Sequence, residues 1–206
     1  MIKPPVLALS IYGNYPVYFW EDRPEVHFKR VSNFKNAGLG SELTLKLKKY
    51  RMSAGLQLFT QRYAENNTLN NLPSWAVANT YYNSKVGNRY ILLGLNLIHY
   101  KKIELDYYTG LVQSRMKNTR YIATARDGSR IDSTYNGSVL GKSGSMRQQL
   151  NLNVSVMQRK CNIFIAVYSD VVFIPFKEAE ELNPNVKLAR ITLGAALGVK
   201  YTFNYD

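Results

Sequence analysis

The chain is poor in the residues from which most active sites and small secreted domains are built. It has one cysteine, Cys161, so no internal disulfide can form, and no metal-ligand spacing surrounds it. It has two histidines, His27 and His99. A Ser-His hydrolase needs its base within hydrogen-bond reach of the nucleophile. His27 has Glu25 nearby and Ser32 five positions on, and His99 stands beside Tyr100. Neither spacing matches a lipid A deacylase or an Asp-His protease. No Gly-rich phosphate loop appears. These absences argue against an enzyme and against any catalytic, metal or cofactor-binding residue.

Also missing is any run of about 18 apolar residues, which excludes a membrane-spanning helix. It does not exclude a membrane, because a barrel strand needs only ~9–11 residues, half of them apolar. No segment is a convincing amphipathic helix, although 177–182 has the composition of a short helical turn. Met1-Ile-Lys-Pro-Pro carries a charge and two prolines where a signal peptide would be apolar. Residues 1–5 therefore read as a linker or an expression remnant, and 6–206 as one barrel domain.

Alternation is what the sequence has in abundance. In "GSELTLKLKKYRMSAGLQLFTQ", Leu43, Leu45 and Leu47 alternate with polar residues. After Lys48-Lys49-Tyr50-Arg51 the apolar set moves to Met52, Ala54, Leu56 and Leu58. Strict alternation marks a strand with two unlike faces, and the one-place slip marks a tight hairpin. The same pattern recurs and predicts eight strands, near 6–18, 37–48, 51–63, 87–100, 103–116, 146–158, 161–173 and 188–204. Within the fourth, Ile91, Leu93, Leu95 and Leu97 alternate with Leu92, Gly94, Asn96 and Ile98.

Short connections (48–51, 100–102 and 158–160) alternate with long ones (about 19–36, 64–86, 117–145 and 174–187). Strands running up and down then put every short turn and both termini at one end. Asp127-Gly128 and Asn136-Gly137 mark turns in the 117–145 segment, which extends as a hairpin carrying Lys117, Arg120, Arg126, Arg130 and Lys142. An even strand count with this loop asymmetry is the layout of an outer-membrane barrel. The expected fold is all-β: an eight-stranded antiparallel up-and-down transmembrane β-barrel with a plugged polar lumen.

The side chains divide accordingly. The apolar set, expected to face lipid, includes Leu43, Leu45, Leu56, Leu58, Leu93, Leu95, Leu105, Leu152, Val154, Ile163, Ile165, Leu193 and Leu197. The polar set, expected in the lumen, includes Glu42, Lys46, Glu104, Asp106, Arg147, Asp170 and Lys200. A Lys or Arg facing lipid at mid-bilayer costs ~2–4 kcal/mol. Several would exceed a domain stability of ~5–15 kcal/mol. Glu104 and Asp106 read as lumenal ion-pair partners rather than a catalytic carboxylate pair. Gly40, Gly55, Gly94, Gly110, Gly194 and Gly198 fall on the inward set and relieve crowding there.

Phe19, Trp20, Tyr50, Tyr63, Tyr90, Tyr100, Phe173, Tyr201, Phe203 and Tyr205 lie near strand ends, as an interfacial girdle would. The opposite assignment of faces, a soluble lipocalin-like barrel holding a lipophile, is the competing reading. The formal charge of +13 comes from basic residues in turns and loops, a spread that argues against nucleic acid as a partner.

"AGLGSELTLKLKKYRMSAGLQLFTQRY", "YILLGLNLIHYKKIELDYYTGLV" and "ITLGAALGVKYTF" resemble the outer-membrane β-barrel family common in Bacteroidetes. The family repeats a strand, a short Lys-containing turn and a strand opening on a small-Gly pair. It ends in Gly-x-x-Tyr-x-Phe, here Gly198 to Phe203. This chain departs from it by carrying Asn204-Tyr205-Asp206 after the terminal aromatic. The resemblance implies a bacterial outer-membrane location with termini in the periplasm. It implies fold and location far more than activity. The basic 117–145 segment is either a solvated loop or a contact for lipopolysaccharide phosphates or a protein partner, and the whole reads as a non-enzymatic barrel in outer-membrane lipid acting as anchor or partner-binding protein. In some members the barrel is the C-terminal domain of a membrane-spanning anti-sigma factor, which gives a sensing role as the alternative.

Overall fold

In a computed structural model, the structure describes residues 5–19, 37–66, 77–135, 142–157, 160–174 and 191–203. Among the described residues nine strands are present: β1 (Val6–Phe19), β2 (Gly38–Leu47), β3 (Tyr50–Asn66), β4 (Val77–Tyr100), β5 (Ile103–Ala125), β6 (Arg130–Tyr135), β7 (Lys142–Met157), β8 (Cys161–Ile174) and β9 (Ile191–Phe203). All pairings are antiparallel, and the additional β4–β5 pairing closes eight of the strands into a barrel. β6 is the exception. It pairs only with β5, as the outer arm of a hairpin beyond the barrel. Closure leaves no barrel strand with an unpaired edge.

Following hydrogen-bonded partners once around, Ala8 leads through Thr44, Ser53, Leu92, Gly110, Arg147, Asp170 and Thr192 back to β1 at Tyr18. The path returns ten residues above its start, which is the stagger that tilts the strands of a closed barrel. The tight turns at Lys48-Lys49 and Lys101-Lys102 lie at one end, and so do the start of β1 and the end of β9. The third short connection is described only from Lys160, and the 177–182 turn and His27 fall outside the described residues.

Three strands run further than their apolar alternation. β3 continues to Asn66 and β4 begins at Val77, where a long loop was expected over 64–86. β5 continues to Ala125 and turns at Asp127 and Gly128 into β6. The backbone ladder persists there although neither face is consistently apolar. A register shift between Asn96 and Ile98 corrects the pattern in β4: Leu97 and Ile98 are both exposed, so Ile98 does not join the inward set.

Candidate functional site

Strand parity decides what each wall of the barrel presents. On the outside, Leu43, Leu56, Leu58, Leu93, Leu95, Leu152, Val154, Ile163, Ile165, Leu193 and Leu197 are exposed, and Leu45 and Leu105 are half-buried. Leu39 is 70% exposed, Leu58 68% and Ile91 65%. A barrel that holds a lipophile needs this face turned inward, so the lipocalin-like alternative is contradicted.

Glu42, Asp106, Arg147, Asp170 and Lys200 are buried in the interior, while Lys46 and Glu104 are half-buried nearer the short-turn end. Burying a charge is tolerable only with a partner. Arg147 meets Asp170 through two bonds, Nε to Oδ1 at 2.7 Å and Nη2 to Oδ2 at 2.8 Å. Its Nη2 also donates to Gln57 Oε1 at 2.9 Å. The guanidinium lies 4.9 Å from the Tyr90 ring centroid and 4.1 Å from that of Tyr168, adding cation–π attraction in a dry setting.

Glu42 gathers a second group. Its Oε1 accepts from Thr44 Oγ1 at 3.0 Å and lies 4.0 Å from Lys200 Nζ. Its Oε2 accepts from the Tyr90 hydroxyl at 3.0 Å, and that hydroxyl shares a 2.6 Å bond with Tyr12. A third group centres on Asp106, which meets Arg51 Nε at 3.3 Å and accepts from Asn96 at 2.8 Å and Asn153 at 3.1 Å. A fourth lies near the short turns, where Glu104 bonds Lys46 Nζ at 2.8 Å and approaches His99 Nδ1 at 3.2 Å.

Among the described residues, four carboxylates (Glu42, Glu104, Asp106 and Asp170) meet four permanent bases (Lys46, Arg51, Arg147 and Lys200). The interior is thus charge-balanced, and the net charge of +13 resides elsewhere in the chain. Arg51 was missed because it was assigned to the turn; its odd position, opposite in parity to Met52 and Ala54, already placed it inside. Tyr90 corrects the girdle assignment, since it is 3% exposed within the barrel.

The interior tyrosines have a common arrangement. Tyr12, Tyr90, Tyr108 and Tyr168 are paired across strands with Gly40, Gly55, Gly94 and Gly194. A methyl group at any of these four glycines would lie within 2.5 Å of the facing ring. The glycines therefore make room for the interior rings, of which Tyr90 carries its hydroxyl to Glu42.

The outer wall has one polar row that alternation did not expose. Thr109, Gln148 and Ser169 are successive neighbours across β5, β7 and β8, with apolar side chains above and below. Tyr107 donates to Gln148, which donates to Thr109 at 3.1 Å. Tyr107, Gln148 and Ser169 border a groove of about 470 Å³ also lined by Leu150, Val167 and Ala195.

Beyond the barrel, the β5–β6 hairpin is held by Arg120, whose Nε and Nη2 bond Asp132 at 2.9 and 2.5 Å. The Arg120 hydrogen bond, with help from Arg130, holds the Asp132 carboxyl below the usual carboxylate range. The Ser129 hydroxyl and backbone lower Asp127 likewise.

No protein-family model matches the chain, and no curated protein does. Solved structures share its fold. A major outer membrane protein from Thermus thermophilus has a TM-score of 0.54 at 10% identity, over 95% of this chain and 99% of that one. Ail, the attachment invasion locus protein of Yersinia pestis, has 0.52 at 10%, over 98% and 100%. OprG from Pseudomonas aeruginosa has 0.50 at 9%, over 97% and 95%. The chain is a closed eight-stranded antiparallel β-barrel of the architecture these outer-membrane proteins share.

Proposed function

We propose that the protein is a non-enzymatic outer-membrane barrel that works as an anchor and as a platform for partners at its ends. The observation that carries this reading is the division of charge. The described outer wall, from the short turns to Leu111 on β5 and Met146 on β7, bears mostly aliphatic and aromatic residues, with the uncharged Thr109–Gln148–Ser169 row, and no ionic group. Charges inside that zone point inward and pair. In this reading Leu43, Leu45, Leu56, Leu58, Leu93, Leu95, Leu105, Leu152, Val154, Ile163, Ile165, Leu193 and Leu197 contact lipid. Residues 1–5 are linker and 6–206 the barrel.

The same reading makes the lumen plugged. Interior tyrosines and paired charges occupy an interior that eight strands leave only wide enough for side chains. Charges engaged with one another in this way are a supporting set rather than a reacting one. The short turns and termini lie in the periplasm, and the β5–β6 hairpin extends outside the cell. Arg115, Arg126 and Arg130 at that end suit the phosphates of lipopolysaccharide or an acidic partner. A structure of Ail holds sucrose octasulfate, a heparin analogue, a precedent for polyanion contact on this fold. The anti-sigma sensing role draws on the Bacteroidetes resemblance alone; a native reading frame with an inner-membrane segment upstream would favour it.

The test is topology in cells. An epitope inserted after Gly128 should be labelled on intact bacteria, and a C-terminal tag only after the outer membrane is opened. The extracted protein should migrate differently before and after heating. Recovery of folded protein without detergent, or labelling of both tags only in lysed cells, would overturn the reading.

A further inference from the structure

The short-turn end is built unlike an ordinary hairpin rim. Two-residue hairpin turns favour Asn-Gly or Asp-Gly, because one or both central residues take positive φ. Here both described two-residue turns are dibasic, Lys48-Lys49 and Lys101-Lys102, and the third short connection ends on Lys160. Lys48 and Lys101 occupy the left-handed region, with φ of 49° and 51°. A side chain with a Cβ is disfavoured there, so lysine is present at the positions where local backbone chemistry favours it least.

The turns are also fixed in place. Backbone bonds tie Lys49 O to Asn96 N at 2.7 Å, Lys102 O to Ser155 N at 2.8 Å and Lys160 O to Thr202 N at 2.7 Å. Each turn is thus fastened to the neighbouring strand, and five exposed lysines form one collar around the barrel end. Among the described residues, the one carboxylate there that is not buried is Glu104, already engaged by Lys46 and His99. Exposed Tyr50 and Tyr100 lie just inside the collar, with Lys49 Nζ 5.4 Å and Lys101 Nζ 5.2 Å from their ring centroids. Aromatic rings below a cationic rim match the level at which headgroups begin.

We propose that this lysine collar binds the phosphates of anionic phospholipid in the leaflet at the short-turn end, and so sets the depth and tilt of the barrel. The inference rests on the membrane reading above and deepens it by naming the lipid chemistry. Lysine is suited to the task as a mobile point charge that follows fluid headgroups. Because the attraction is Coulombic and exposed, it is screened by salt.

The test uses the full chain in phosphatidylcholine vesicles doped with spin-labelled phosphatidylglycerol or spin-labelled phosphatidylcholine, read by electron paramagnetic resonance. The wild type should immobilise phosphatidylglycerol several-fold more strongly than phosphatidylcholine. The preference should collapse in a variant carrying Lys48→Asn, Lys49→Gln, Lys101→Asn, Lys102→Gln and Lys160→Gln. Asn keeps positive φ accessible at the two strained positions.

High salt should erase the preference in the wild type, a readout that needs no variant to fold, and inorganic phosphate should weaken it no more than sodium chloride of the same ionic strength. An unchanged preference in a folded variant, a preference insensitive to salt, or displacement by inorganic phosphate beyond that by chloride at matched ionic strength would overturn the collar. Insertion without any preference would overturn the collar alone. Failure to insert would overturn the membrane reading and the collar with it.

Discussion

Along β7, Gln149, Asn151 and Asn153 point into the barrel while Leu150, Leu152 and Val154 point out of it. The two rows share a backbone and differ in how tightly they specify their neighbours. Inside, polar side chains answer to particular partners at many positions, as Asn153 does to Asp106 and Gln149 to Asn151. Outside, one aliphatic residue serves as well as another. Inward positions should therefore respond to small chemical changes, and outward ones only to polarity.

The largest effect should come from unpairing a buried charge. Asp170→Ala leaves the Arg147 guanidinium without its carboxylate, and losing one partner of a buried pair costs ~3–5 kcal/mol. Denaturant unfolding of the detergent-folded barrel measures it, and a loss within experimental scatter of zero would break the inner half of the comparison.

Next is Leu152→Arg on the outer wall, which should cost ~2–4 kcal/mol in a bilayer, whereas Leu152→Val should be nearly silent. Equal tolerance of the two changes would mean that the outer wall is wetted.

A smaller inward effect is steric. Gly194→Ala drives a methyl into the Tyr168 ring and should cost ~1–3 kcal/mol. In a double-mutant cycle with Tyr168→Leu, much of that loss should vanish, because the clashing ring is gone. Additive losses would sever the tyrosine–glycine link.

At the rim, where neither rule applies, Lys101→Gly should stabilise the barrel by about 0.5–1 kcal/mol by relieving the positive φ, while weakening anionic-lipid selection. A destabilised glycine variant would show that the turn is not strained.

The smallest effect lies beyond the barrel. Asp132 has a folded pKa below its unfolded value, so its contribution is present at neutral pH and is lost as pH falls through the folded value. The β5–β6 hairpin should become more open to protease in acid, and Asp132→Asn should remove that pH dependence. A hairpin equally resistant at both pH values would leave the Arg120–Asp132 pair without a structural role.

The architecture was legible where one wall of a strand is apolar and the other polar. The slip at Lys48–Arg51 disclosed a hairpin, and repeated alternation gave eight strands. Legibility stopped where that contrast stopped. The outer parts of β3, β4 and β5 continue as hydrogen-bonded ladder, but their side chains lack the two-residue period, so the sequence there reads as loop. The shift between Asn96 and Ile98 was hidden because Leu97 and Ile98 fit a strand in either register.

In the site, parity alone placed charges such as Arg147 and Asp170 on the inward set. It could not disclose which acid meets which base, since pairs such as Lys46 with Glu104 lie 58 residues apart and depend on barrel stagger. Tyr90 was misassigned because a tyrosine near a strand end fits a girdle as readily as a lumen. Its partner Gly55, one strand away, was the available clue.

The central claim is that the aliphatic wall faces hydrocarbon. Spin labels placed singly at Leu95, Leu152 and Ile165 in the reconstituted barrel test it directly through collisions with oxygen and with a water-soluble nickel complex. The account predicts strong relaxation by oxygen and weak relaxation by nickel at all three positions. Strong relaxation by nickel at those sites would mean that water bathes the wall, and would contradict it.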